Sequence, residues 1–418
     1  MKDKIKVGWV GFGRRGRYTI EEGYGHMEDV EIVALCDNYE PILAEAKELL
    51  DEIGHKNCKF TTEYQDLLDD PEIDAIIIMT PWLDRVEKAI RAMRAGKYVG
   101  IEVGSAYDIQ ECHDLVRAYE ETGIPCMMLE NCCYGRREMM AYNMSEQGLF
   151  GEIVHCEGAY GHYLLNGELF RDKEVGRHYR LHEYALRNCD QYATHELGPI
   201  SKVLKLNRGN KMLTLSSMGS KGRGIKQYIV DNLGADSPYA QTHYYQSDMV
   251  STNIKCAGGE TIHLCLDTTL PRGFYSRNFN VRGTRGNMFE DANFMNFPGM
   301  DQEDKVKGNM DKFMERFDHP LHTEYRKLGE KEGHEGIDWL VARAFVEAVK
   351  NGTNTPIDVY DTALWLSIGP LTEASIAMGG APVPVPDFTK GKWTNREPIV
   401  ECKYCLDKVC VDTSVKIY

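Results

Sequence analysis

Lys4-Ile5-Lys6-Val7-Gly8-Trp9-Val10-Gly11-Phe12-Gly13-Arg14-Arg15-Gly16 is the stretch that decides the fold. An apolar run from Lys4 to Gly11 passes into a glycine-rich turn and then into a segment able to form a helix, so the chain opens strand, turn, helix. Gly11, Gly13 and Gly16 form G-x-G-x-x-G at that turn. There the missing side chains let backbone amides at a helix N-terminus approach a pyrophosphate. The motif alone carries little weight, and its surroundings supply the rest.

Outward from the turn, strands and helices alternate. Val30 to Leu35 is β-branched and apolar and is closed by Cys36 and Asp37; Pro41 to Leu50 follows with helical spacing. Ala75 to Met79 reads as a fully buried parallel strand, with a helix over Arg85 to Ala95 closed by Gly96. Tyr98 to Val103, a helix from Ile109 to Thr122, and a strand from Met127 to Glu130 complete the series. Such alternation implies right-handed crossovers, hence an α/β Rossmann domain with a doubly wound parallel sheet over residues 1–130.

Beyond Glu130 the rhythm changes. Glu152 to Tyr160, Met212 to Met218, Thr252 to Ala257 and Thr261 to Thr268 alternate apolar with polar residues, as strands with one exposed face do. Gly336 to Lys350 and Ala363 to Met378 return to helical periodicity. Residues 131–418 are therefore expected to form a C-terminal α+β domain with an open, mostly antiparallel sheet.

Asp37 ends the second strand, where a carboxylate accepts from both ribose hydroxyls of a dinucleotide and repels the 2′-phosphate of NADP. NAD is the expected cofactor, with Arg14 and Arg15 near enough in sequence to temper the exclusion. Thr80, Pro81 and Trp82 end the third strand, and Glu102 and Val103 end the next. Topology puts both sets at the carboxyl edge of the sheet, where a ligand crevice forms. A buried indole capping the core is the competing reading for Trp82.

The 418 residues exceed what one core usually organises, in keeping with two domains. A balance of 49 Lys plus Arg against 64 Asp plus Glu leaves a net charge of −15, which repels nucleic acid and anionic membranes and favours small-molecule partners. No apolar run approaches the roughly 20 residues a bilayer crossing needs. With the N-terminus running directly into a strand, a cytoplasmic protein is expected. Thirteen cysteines from Cys36 to Cys410 have no disulfide-scaffold rhythm, and reduced thiols are expected. Cys402, Cys405 and Cys410 contain one CxxC pair without an evident fourth ligand, so no metal is expected, and buried packing accounts for adjacent Cys132 and Cys133. His178 and His182, four apart, would share a helix face but make an incomplete metal site; His162 and His334 are lesser candidates.

The glycine fingerprint, Thr80-Pro81, the acidic Glu102 and the antiparallel second domain resemble the Gfo/Idh/MocA oxidoreductases. Those enzymes usually carry Glu-Lys-Pro where this chain has Glu102-Val103-Gly104. Longer stretches are similar to glycoside hydrolase family 109, NAD-dependent glycosidases typified by α-N-acetylgalactosaminidase. They include LENCCYGRREM at Leu129 to Met139, GLFGEIVHCEGAY at Gly148 to Tyr160, QYATHELGPI at Gln191 to Ile200, PRGFYSR at Pro271 to Arg277 and VYDTALW at Val359 to Trp365. The resemblance implies NAD contacts from Arg14, Arg15, Asp37, Trp82, Glu102, Val103 and Asn131, beside Gly11, Gly13 and Gly16 of the fingerprint. It implies sugar contacts from Tyr160, Arg180, Tyr192, Ala193, Thr194, His195 and Tyr275. The chain departs from the family at Asp84 and Arg85, usually Trp and His, and at Ala193, usually Pro.

The chemistry so implied is transient oxidation at C3 of a glycoside, elimination of the aglycone, addition of water and re-reduction, with no net use of NAD. His195 suits a base because imidazole ordinarily titrates near 6.5, within reach of neutrality. Tyr192 or Tyr160 suits donation to a developing oxyanion, Tyr275 proton transfer or sugar holding, and Glu130 orientation of a neighbour or catalysis. A small glycoside is the expected partner, and a homo-oligomer the expected assembly. A sugar dehydrogenase or epimerase-like oxidoreductase with net redox turnover is the alternative, and a sugar sensor retaining NAD as a structural ligand is a third.

Overall fold

Strand β1 (Ile5–Val10) runs through the middle of a sheet because nearly all its residues are buried, as a central parallel strand requires. The computed structural model describes residues 2–166, 169–170, 178–300, 305–327, 336–399 and 403–407. Around β1 the chain alternates: α1 (Arg14–Glu21), β2 (Val30–Cys36), α2 (Pro41–Glu52), β3 (Lys59–Thr61), α3 (Tyr64–Asp69), β4 (Ala75–Ile78), α4 (Arg85–Arg94), β5 (Tyr98–Ile101), α5 (Ile109–Thr122) and β6 (Cys126–Met128). The six strands lie in the order β3-β2-β1-β4-β5-β6, every neighbouring pair parallel. That is the Rossmann order, which reverses between β1 and β4. β3 and α3 were not expected. A three-residue edge strand with exposed Lys59 leaves no apolar run to read.

The rest of the chain supplies α6 (Arg136–Glu146), β7 (Ile153–Gly161), α7 (Tyr179–Leu186), α8 (Thr194–Val203), β8 (Met212–Gly219), α9 (Gly224–Asn232), β9 (Met249–Cys256), β10 (Thr261–Asp267), β11 (Asn280–Gly283), β12 (Asn287–Phe289), β13 (Phe294–Asn296), α10 (Met310–Phe317), α11 (Pro320–Lys327), α12 (Ile337–Asn351), α13 (Val359–Leu366), α14 (Ile368–Ala377) and β14 (Val383–Pro384). Eight strands form a second sheet, ordered β13-β12-β11-β7-β10-β9-β8-β14. Its pairs are antiparallel except β7 with β10, where Tyr160 stands level with Leu266. Alternation in β9 and β10 buries Val250, Thr252, Ile254, Ile262, Leu264 and Leu266 and leaves their immediate neighbours partly or fully exposed, the pattern of a sheet covered on one face.

The chain forms two compact units. Met1–Met139, Asp318–Leu364 and Asn395–Cys410 make the first; Met140–Phe317 and Trp365–Thr394 make the second. The single cut expected between 130 and 131 differs from this, because later segments return to the first unit. Within that unit the Thr362 hydroxyl accepts the Met128 N–H at 3.1 Å, the Tyr98 hydroxyl donates to the Thr353 carbonyl at 3.1 Å, and Arg343 pairs with Asp29 at 2.6 Å. No nearby residue announces these partners, which lie more than two hundred positions away in sequence.

Every described cysteine is a free thiol, and most are buried; Cys132 and Cys133 sit in a short 3-10 turn rather than on a strand. Cys402, Cys410 and His334 lie outside the described residues. Among the described residues no helix is long and apolar enough to cross a membrane.

Leu264 is wholly buried in β10, so Leu264→Ala should cost about 2 to 5 kcal/mol of stability. Urea unfolding should register the loss as a lower midpoint with an unchanged slope.

Candidate functional site

A candidate dinucleotide site in the first unit is built from backbone. Gly11 adopts φ +93°, and a Cβ there would stand 3.0 Å from the Met79 carbonyl carbon. At Gly16 a Cβ would fall 2.2 Å from the Gly11 oxygen and 3.3 Å from Trp9 Nε1, so only glycine lets α1 begin this close to β1. Trp9 Nε1 donates to that same Gly11 oxygen at 3.0 Å and pins the turn from beneath. Gly13 is exposed, and a Cβ on it would meet no protein atom within 4 Å. Its missing side chain opens space over the helix N-terminus instead of serving internal packing, which is what a pyrophosphate cradle needs.

Asp37 closes the turn from β2. One carboxylate oxygen accepts the Phe12 N–H at 2.7 Å and the other the Tyr39 N–H at 2.9 Å. Each oxygen keeps a further lone pair for a ribose hydroxyl. This open glycine turn with an anchored acid fits NAD.

Arg14 lies exposed at the start of α1. Arg15 is held elsewhere: Nε donates to Glu102 at 2.9 Å and Nη2 to Asp338 at 2.7 Å. Asp338, from α12, also accepts from Asn131 at 2.8 Å, so Arg15, Glu102 and Asn131 form one network around it. Trp82 is buried and donates to the Val103 carbonyl at 3.3 Å. Gly104, at φ +147°, lies under that indole, and a Cβ there would fall 2.0 Å from Trp82 Nε1. Buried Arg85 binds the two strand ends together, donating to the carbonyls of Thr80 at 3.1 Å, Glu102 at 2.7 Å and Val103 at 2.5 Å. Glu130 is fully buried and accepts the Cys132 N–H at 3.0 Å.

A candidate sugar site in the second unit is built from rings. Tyr160 ends β7 on an apolar cluster with Leu165, Leu181, Ile229 and Leu266. Its ring lies 4.3 Å from Tyr192, 5.6 Å from His195 and 6.3 Å from Tyr275, centroid to centroid. Tyr192 meets His195 edge-on at 4.9 Å, and the Arg180 guanidinium sits over the Tyr192 ring at 4.4 Å. That cation–π contact sets a fixed positive charge beside the tyrosines. Burial pushes the Tyr160 hydroxyl up to about 12, with Arg180 pulling it the other way, so the group keeps its proton at neutral pH.

Local structure explains how these side chains meet. His195 is the second residue of α8, so the turn from Asp190 to Ala193 carries Tyr192 into the same cluster. Ala193 and Thr194 are buried in that turn. Tyr275 comes from a loop that bridges back to β7, where Ser276 and Gly161 exchange backbone hydrogen bonds at 2.9 and 3.0 Å. Arg272 stiffens the loop by pairing with Asp267 at 2.7 Å and donating to the Phe274 carbonyl at 3.0 Å. His162 joins the cluster, its Nδ1 3.0 Å from the Tyr160 hydroxyl and its ring 5.3 Å from Tyr275. His178 does not share a helix face with His182: it is the N-cap of α7, and its ring accepts the Arg180 N–H at 3.3 Å.

Residues 134–395 match the family model "Glycosyl hydrolase 109, C-terminal domain", and residues 5–129 match "Oxidoreductase family, NAD-binding Rossmann fold". The chain belongs to glycosyl hydrolase family 109. It is 37% identical to an α-N-acetylgalactosaminidase of Tannerella forsythia over 415 residues, 94% of this chain and 88% of the relative. It is 36% identical to a family 109 protein of Solibacter usitatus, covering 94% and 90% of the two chains. Solved structures share the fold. A levoglucosan dehydrogenase in complex with NADH and L-sorbose superposes with a TM-score of 0.70 at 18% identity, over 92% of this chain and all of the other. An NAD-binding oxidoreductase from Klebsiella pneumoniae gives 0.69 at 16%, with the same coverage.

Within this family 109 chain, three residues that sequence reading did not place in the site support it. Asp338 gathers Arg15 and Asn131 from a position 323 residues beyond Arg15, a separation no local pattern reveals. Arg85 stood out only as a departure from the family, and Arg272 only as part of a matching stretch. A guanidinium able to serve several carbonyls was the available signal in Arg85.

Asp37→Ala should weaken NAD binding by about tenfold to a hundredfold, since the ribose loses charge-assisted partners and the Phe12 amide its anchor. Calorimetry with both dinucleotides should also show the preference for NAD over NADP narrowing.

Proposed function

We propose that this family 109 protein is an NAD-dependent glycosidase acting on α-N-acetylgalactosaminides, and that it breaks the glycosidic bond by elimination and hydration. The observation carrying this reading is the cluster of Tyr160, Arg180, Tyr192, His195 and Tyr275 in a chain 37% identical to an α-N-acetylgalactosaminidase. Bound NAD supplies reversible oxidation at C3 of the sugar, and that oxidation makes the C2 proton acidic. Gly11, Gly13, Gly16, Asp37 and the helix N-terminus hold the dinucleotide; Arg14, Arg15, Trp82, Glu102, Val103 and Asn131 complete its surroundings.

His195 removes the C2 proton as the aglycone leaves C1, and returns it after water has added at C1. Tyr160, which keeps its proton at neutral pH, and Tyr192 beside it donate to the oxygen that gains charge at C3. Tyr275, the more exposed ring, holds the sugar and assists proton transfer at its hydroxyl. Ala193 and Thr194 line the sugar through the backbone of the turn that presents His195. Glu130 orients its neighbours through the Cys132 amide. Val103 offers no ionisable group where dehydrogenases of the superfamily carry lysine, which favours hydrolysis over net oxidation.

Nitrophenyl glycosides separate the readings: nitrophenol released without accumulating NADH supports the glycosidase, and stoichiometric NADH supports a dehydrogenase. His195→Ala should keep fold and cofactor while turnover falls about 10² to 10⁴-fold. Product formed in D₂O should carry deuterium at C2. Product without it, together with no isotope effect from C2-deuterated substrate, would rule out elimination.

A further inference from the structure

Asp190 has no part in the roles above, yet it stands two residues before Tyr192 and is 1% exposed. Its N–H donates to the Thr372 hydroxyl of α14 at 2.9 Å. Its Oδ1 accepts the Tyr192 N–H at 3.3 Å, and its Oδ2 is buried without a hydrogen-bond partner. Among the described residues it enters no ion pair.

The charges nearby explain why that matters. Asp190, like Asp267 and Glu196, adds to burial in pushing the Cys265 thiol up to about 12, which sets Asp190 close to Cys265 of β10. The nearby cations are committed: Arg272 to Asp267 at 2.7 Å, and Arg187 to Glu373 at 2.7 Å. Cys189 adds no cation on the chain side. A carboxylate so placed lacks donors, and burying it ionised is costly. Burial accordingly pushes the Asp190 carboxyl up to about 7, with the Tyr192 amide pulling it down.

We propose that Asp190 is a positioning residue which, while protonated, seats the Tyr192 peptide and with it the ring that packs on Tyr160 and His195, and which releases that ring on ionising. A protonated carboxyl offers one donor and keeps an acceptor for the Tyr192 amide. Ionised, its buried Oδ2 needs a donor that only a shift of the 190–195 turn or an entering water provides. Tyr192 then loses the geometry that faces His195 and Arg180. The catalytic consequence rests on the glycosidase reading; the structural transition does not.

Asp190→Asn tests it, because the amide keeps an acceptor and a donor and cannot titrate. Its pH profile of kcat should match wild type on the acidic limb, which protonation of the catalytic base sets, and move its alkaline limb up by about one pH unit or more. Thermal melting reads the same group without substrate. A folded-state pKa above the unfolded value near 4 means that wild type loses stability as pH rises between about 4 and about 7. The melting advantage of Asp190→Asn should therefore grow from about pH 4 to about pH 7 and level off above that.

Near-ultraviolet circular dichroism of wild type should change around pH 7, where the folded carboxyl ionises and the tyrosines repack, and the variant's should not. The wild-type transition is decisive if the variant does not fold. Superimposable alkaline limbs in active enzyme, or no dichroism change in wild type, overturn the proposal. A dichroism change in a protein that cleaves no glycoside refutes the glycosidase reading and sustains the positioning role.

Discussion

A side chain at position 16 has nowhere to go. The first turn of α1 lies so close to the end of β1 that a Cβ on Gly16 would overlap the Gly11 carbonyl oxygen. That contact fixes where the helix N-terminus points, and so where its unsatisfied amides face. Trp9 beneath and Asp37 beside the turn are hydrogen-bonded to it, so strand, turn and helix act as one rigid piece. The six-stranded order around β1 then brings the ends of β4 and β5 to the same edge of the sheet.

The two candidate sites, one in each unit, use different physics. In the first, backbone amides and carbonyls do the arranging, and guanidinium groups tie them together: Arg85 spans three carbonyls, and Arg15 joins two carboxylates. In the second, ring faces and edges set the geometry, with Arg180 lying on Tyr160 and Tyr192 and Arg277 on Tyr275. A network of carbonyls suits a ligand bound through its ribose and phosphate. A cluster of rings with guanidinium groups laid on them suits an uncharged, polyhydroxylated molecule that develops negative charge during reaction.

Much of this was legible in the sequence, for physical reasons. G-x-G-x-x-G is readable because Gly16 is demanded by a contact with Gly11, five residues back, and buried parallel strands such as Ala75–Ile78 advertise themselves as unbroken apolar runs. Rings in stretches such as QYATHELGPI are readable by likeness. Illegible were features that arise only on folding. Asp338 finds Arg15 through tertiary packing, His162 reaches Tyr160 across a strand end, and α12 returns to the first unit although it lies beyond the second sheet in sequence. His178 shows a further reason: helical spacing suggested a shared face, but the helix starts one residue later and turns it into a cap. Short edge strands such as β3 offer too few residues for any periodicity.

The 323 residues between Arg15 and Asp338 also impose an order on synthesis. A ribosome extending the chain by about 5 to 20 residues per second needs roughly a quarter of a minute to a minute to pass from one to the other. During that time the glycine turn has emerged, but Arg15 and Asn131 still lack their shared acid. The nascent first unit must wait with the Arg15 guanidinium paired to one acid, Glu102, instead of two, while the whole second sheet is being made. Maturation of the dinucleotide site is thus tied to completion of the chain, and a polypeptide truncated before α12 carries the fingerprint without the network that braces it.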